Sequence, residues 1–203
     1  MNDVILVGYS GHAFVIAELL LLSNYRIAGY CEPMRKELNP FELDYLGEES
    51  SAVARQKLKD TPFFAAFGDN KIRRSIYSSL ISDGFTSLNC VHPHSVVSTF
   101  ASLGSGVSIM AGAIINPFAR VGNGVIVNTN ATIDHESQIG SFTHIAPGAV
   151  ITGNVSIGQG CFIGANSVVR QGITIGNNVI IGAGSVVVKD VGDDTTIKGV
   201  PAK

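Results

Sequence analysis

The chain has 203 residues, 45% hydrophobic and 15% charged, enough apolar material for one large core or two small ones and too much for a disordered segment. Fourteen basic residues against sixteen acidic ones leave no basic stripe, so neither nucleic acid nor an anionic membrane is expected as a partner. Cys31, Cys90 and Cys161 are odd in number and widely spaced, which excludes a disulfide scaffold or zinc knuckle and suits reduced thiols in a cytoplasm.

In chain order, residues 1–92 alternate short apolar strands with helical stretches: "DVILVG", a helix from about Ala13, "IAGYCE", "FFAAFG", a helix across "NKIRRSIYSSLISDG", and "SLNCV". This alternation predicts a small Rossmann-like α/β domain with a parallel sheet. The most apolar run, "AFVIAELLLL", is ten residues long and carries Glu18, and the N-terminus lacks a basic head, so neither a membrane span nor secretion is expected. The loop "GYSGH", residues 8–12, joins a strand to a helix, where glycines and exposed amides favour a phosphate. It is not GxGxxG, which argues against a redox dinucleotide.

From Val97 the period changes. Every sixth residue from Val97 to Val187 is aliphatic, sixteen in succession. Four places after each stands a small or β-branched residue, from Ala101 through Ala131, Ser137, Thr143, Ala149 and Cys161 to Val191. Two inward positions per hexad predict a parallel β-helix, here about five coils over residues 97–192. Glycine follows the aliphatic column at Gly104, Gly122, Gly140, Gly158 and Gly176, a super-period of eighteen, or three hexads per coil. Glycine at one corner is expected to supply turn dihedrals that a Cβ opposes.

Within this run "NTNATIDHES" and "FTHIAPGAV" place His135 and His144 outward. Imidazole titrates near neutral pH, which suits either histidine to general acid–base work. Nine residues around one corner put the two histidines about 15 Å apart within a chain, so one substrate reaches both only with two chains. Cys161 lies in the inward column and is expected to be a buried small hydrophobe rather than a nucleophile. A γ-carbonic-anhydrase zinc site needs three histidines where this helix supplies two, and no metal is expected.

The stretches "IGQGCFIGANSVV", "IGNNVIIGAGSVVVKDV" and "KGVPAK" resemble hexapeptide-repeat acyltransferases, whose β-helix is left-handed. With "GYSGH", "FGDNKIRRSIY", the junction "HP", "NTNATIDHES" and "FTHIAPGAV", nearly the whole chain resembles the sugar-nucleotide acetyltransferases of the NeuD/PglD type. That resemblance implies a nucleotide-sugar domain over 1–92 and a β-helix acetyltransferase domain over 93–203. It implies acetyl-CoA as co-substrate and N-acetylation of a nucleotide-linked amino sugar, foremost a UDP-4-amino-4,6-dideoxy sugar, for bacterial surface glycan or glycoprotein synthesis. O-acetylation of a sialic acid, and GDP or dTDP as carrier, are the alternatives. It further implies a homotrimer with active sites between subunits: His135 as general base with Glu136, and His144 of a neighbour on the acetyl or thioester end of acetyl-CoA. The resemblance also implies that pantetheine runs past Ala165 and Ala183, one coil apart, that Asn128 lies near the sugar amine unless it is an ordinary turn asparagine, and that Ser10, Gly11, His12, Glu32 and Gly68 hold the nucleotide, with Asp69 and Asn70 nearby. Glu32 and Pro33 stand where a family member carries paired aspartates.

Overall fold

The computed structural model describes residues 2–203 and divides into two compact units, one ending at His92 and the other beginning at Pro93. In the first, strand β1 (Asn2–Val7), helix α1 (Gly11–Leu22), β2 (Tyr25–Cys31), α2 (Ala52–Leu58), β3 (Phe63–Ala65) and α3 (Asn70–Ser82) follow in order. The parallel sheet runs β2-β1-β3, so β1 is central, and its run Val4–Val7 is fully buried, as a strand covered on both faces requires. The chain passes to opposite sides of β1 to form β2 and β3. Such a switch point opens a crevice beyond the strands' carboxyl ends, where residues 8–12 lie. Helix α1 begins at Gly11, two residues before the expected start, and "SLNCV" yields only the two-residue strand Cys90–Val91. Helix α2 has no expectation to match. It is a two-turn element whose start is fixed by the Ser51 hydroxyl accepting the Ala54 N–H at 3.2 Å, too short to show a helical period.

The second unit is a parallel β-helix of about six turns, built from seventeen two-residue strands between Val96 and Ile197. Partners lie eighteen residues apart: Ile126 pairs with His144 and His144 with Phe162 on one face, Thr132 with Val150 on the second, Gln138 with Ser156 on the third. The helix begins and ends slightly beyond the expected 97–192. The second residue of each strand points inward, and the aliphatic column from Ile109 to Val187 is buried throughout. Removing each such side chain from water stabilises the coil by roughly 1.5–3 kcal/mol. The companion column is buried as well, and its polar members are satisfied. Thr143 Oγ1 donates to Gly158 O and accepts from Cys161 N, and Ser137 Oγ donates to Thr152 O and accepts from Val155 N.

Two expectations need correction. The glycines at 104, 122, 140, 158 and 176 do not adopt left-handed dihedrals. Each lacks a side chain because a Cβ would fall under 3.0 Å from backbone atoms of the following coil. The left-handed position comes three residues after each aliphatic one from Leu103 to Ile181, filled by Gly106, Gly112, Gly124, Asn130, Gly148, Asn154, Gly160, Asn166, Gly172, Asn178 and Gly184, and, against type, by Phe118, Glu136 and Phe142. The last coil contains sixteen residues rather than eighteen. Ile175 pairs with Val191 and Ile181 with Ile197, so Val191 stands in the row of the aliphatic column rather than of its companion. Beyond it the chain folds back: Val186 N–H donates to Gly199 O, and Ala202 N–H donates to Val186 O, closing the edge of the second face.

Candidate active site

Each coil has three edges, and the candidate residues occupy two of them. Along the edge after the first face, Asn128, Ala146, Gly164 and Gly182 lie one coil apart, as do Thr129, Pro147, Ala165 and Ala183 beside them. Gly184 N–H donates to Ala165 O at 2.8 Å, so Ala165 and Ala183 sit on directly stacked turns. His144 ends the first face just before this edge, buried, with its ring edge-on to Phe162 at 5.1 Å. The Asn128 amide is oriented by its neighbours. Thr129 N–H donates to Oδ1 at 2.8 Å, which turns Nδ2 towards His144 Nε2 at 3.0 Å. Nε2 therefore accepts, and the neutral ring carries its proton on Nδ1.

The edge after the second face carries Asp134, His135 and Glu136. Asp134 Oδ1 accepts the His135 N–H and the Asn116 amide, both at 2.7 Å, and the first of these does most to hold its carboxyl below the usual range. Asn116 and Asp134 are eighteen residues apart, a polar column parallel to the apolar ones and readable from the same super-period. His135 Nδ1 lies 3.2 Å from Glu136 Oε2. Glu136 reaches it from a left-handed backbone, φ +61°, and non-glycine residues held there cluster at functional sites. Beneath the imidazole lies Gly153 of the next coil, a residue that sequence reasoning did not single out.

Cys161 is fully buried, and burial raises its thiol; burial likewise pushes Cys31 up to about 12. Neither thiol is an available nucleophile.

In the first unit Ser10 caps α1 without using its side chain for the helix, Gly11 is exposed, and His12 and Gly68 are in contact, His12 Cβ lying 3.6 Å from where a Gly68 Cβ would be. Desolvation, helped by the charge of Arg73, lowers His12 to about 4, so it is neutral at neutral pH. Glu32 directly follows β2. Its Oε1 accepts Tyr9 N–H at 2.6 Å and its Oε2 faces Lys36 Nζ at 3.4 Å, so the carboxylate stitches the end of β2 to the loop after β1. Arg73, almost wholly buried, donates to Phe67 O, Gly68 O and Asn70 Oδ1, while Asp69 caps α3 through Lys71 N and Ile72 N. Arg73 and Tyr9 thus shape the two loops, and no periodic signal marks them.

The PglD N-terminal domain family matches residues 3–80, the bacterial transferase hexapeptide family residues 136–171, and the hexapeptide repeat of succinyl-transferase residues 154–189. Perosamine N-acetyltransferase from Caulobacter crescentus, solved as a histidine variant with CoA and GDP-perosamine, is 34% identical with a TM-score of 0.93, covering 100% of this chain and 96% of that one. The acetyltransferase domain of PglB from Neisseria gonorrhoeae, solved with acetyl coenzyme A, is 33% identical with a TM-score of 0.91, covering 100% and 98%. A UDP-N-acetylbacillosamine N-acetyltransferase of Bacillus subtilis is 36% identical over 115 residues, 55% of this chain and 52% of the relative, so that match spans about half the relative's length.

Proposed function

Since the chain belongs to the PglD-like family of hexapeptide-repeat sugar N-acetyltransferases, we propose that it moves the acetyl group of acetyl-CoA to the amino group of a nucleotide-linked amino sugar, foremost a UDP-4-amino-4,6-dideoxy sugar. The observation that carries the chemistry is the His135–Glu136 pair. The Glu136 carboxylate keeps the proton of the neutral ring on Nδ1, leaving the Nε2 lone pair to act as base. The sugar nitrogen attacks the thioester carbon and gives its proton to Nε2. As the tetrahedral intermediate collapses, the C–S bond breaks and the imidazolium returns a proton to the CoA sulfur. His144, turned by Asn128 so that Nδ1–H donates, stabilises the carbonyl oxygen as it becomes negative. Asn128 acts here through His144, and it lies on the donor edge with Ala165 and Ala183, along which pantetheine extends.

Base and donor residues occupy different edges of one β-helix, so a complete site joins the base edge of one chain to the donor edge of another. The outward residues support a homotrimer. Phe162 and Ile180 on the first face and Val96, Ile114, Val150, Val168 and Val186 on the second are apolar and not fully buried. The third face shows Ser102, Arg120, Gln138, Ser156 and Thr174. Two unlike apolar faces pack heterologously, and threefold closure satisfies both. In the first unit the Ser10–His12 amides and the Gly68 loop hold the nucleotide end, with Glu32 supporting the loop from behind.

Purified protein, acetyl-CoA and a panel of UDP-, GDP- and dTDP-linked 4-amino sugars test this by release of free CoA. Turnover with an amino sugar and none with its 4-hydroxy counterpart is expected. Turnover with hydroxyl acceptors such as sialic acid alone would overturn it.

A further inference from the structure

We propose that Gly153 is a positioning residue for the base, a notch in the next coil that lets the His135 imidazole lie flat against the β-helix with Nε2 aimed away from Glu136. This rests on the reading of His135 as the base. A Cβ at position 153 would lie under 3.0 Å from His135 Cε1 and Nε2, and its three nearest neighbours all belong to that ring. Gly153 does not have the left-handed backbone that accounts for many glycines of the β-helix, and the atoms a Cβ there would meet first belong to the imidazole rather than to a stacked backbone. The side chain is absent here because of the imidazole.

The ring is thus fixed by three separate devices. Asp134 accepts the His135 backbone N–H, Glu136 holds Nδ1 from a left-handed turn, and Gly153 provides the floor. The first two set where the ring begins and which way it faces. Only the floor determines how close Nε2 lies to the coil, and a base must meet its proton within hydrogen-bond reach. A displacement of about 1 Å is enough to cost around 10²-fold in rate. An alanine methyl must tilt the imidazole outward, since the ring can swing and the coil backbone cannot.

The test is Gly153→Ala, with His135→Ala and the double variant alongside. With the amino sugar that serves as acceptor, Gly153→Ala should lower kcat at least 10-fold while the KM values for acceptor and acetyl-CoA stay within twofold. In protein carrying ¹⁵N-labelled histidine, the His135 ring shifts should move away from a single Nδ1–H tautomer. Because the atoms the added methyl would meet first are those of the imidazole, Gly153→Ala should leave Tm unchanged in the His135→Ala background. A wild-type kcat with unaltered ring shifts overturns the inference, as does a rise confined to the KM for acetyl-CoA, or a fall in Tm in the absence of the imidazole. Full activity of His135→Ala is a different failure, that of the base assignment itself.

Discussion

Glu136 sits at φ +61°, a corner that the other coils give mostly to glycine or asparagine. Holding an ordinary side chain there costs about 1–2 kcal/mol, so the carboxylate is retained at the expense of the fold. Glu136→Gly should therefore unfold at a higher temperature than the natural protein, by about 1 kcal/mol in stability, while kcat falls 10- to 100-fold as His135 loses its partner. Calorimetry and CoA release on the same preparation check both. His12 gives a pH signature. It titrates near 4 when folded, lowered by desolvation and then by Arg73, against 6.5 in its ordinary state. Between those values the unfolded chain binds the extra proton, so stability is fully present above about pH 6.5 and falls as the pH drops towards 4, by roughly 3 kcal/mol. Denaturant titrations of the first unit at pH 7 and pH 4.5 should show this loss, and His12→Asn should reduce it.

At the scale of one coil, the glycine column is a packing device. In Gly140→Ala the new methyl would stand under 3.0 Å from the backbone of Gly158 and Gln159, with no flexible side chain to yield. Several kcal/mol of destabilisation follow, larger than for an exposed alanine elsewhere, and thermal unfolding measures it. The inward columns are legible in the sequence because a two-in-six pattern constrains residue type at every turn, so Ile109 to Val187 repeat without interruption. His135 and His144 stand out against that regularity. Helix α2 does not, since seven residues hold too little periodicity. Nor do the unlike corners at Phe118, Glu136 and Phe142, where residue type argues against the backbone they adopt, or Gly153, whose reason is a side chain eighteen residues earlier. The contraction of the last coil escapes for a related reason, because Val191 is apolar in either register.

For the whole molecule, the proposed division of base and donor between two edges predicts that activity depends on neighbouring chains. His135→Ala and His144→Ala should each lose 10²- to 10⁴-fold in turnover. Co-refolded into mixed trimers, they should regain part of it, since some interfaces join an intact His135 of one chain to an intact His144 of the next. Mixed trimers that assemble and bind acetyl-CoA without recovering turnover would mean that each site lies within one chain. A β-helix has another collective property, because each coil is a template for the next. The folded-back segment that lays Gly199 and Ala202 against Val186 occupies hydrogen-bonding positions that a further strand would take. On the second face those few residues therefore act as a stopper: without them the strand at Val186 would offer an unfinished β-edge to any other copy, a template for growth end to end into fibres.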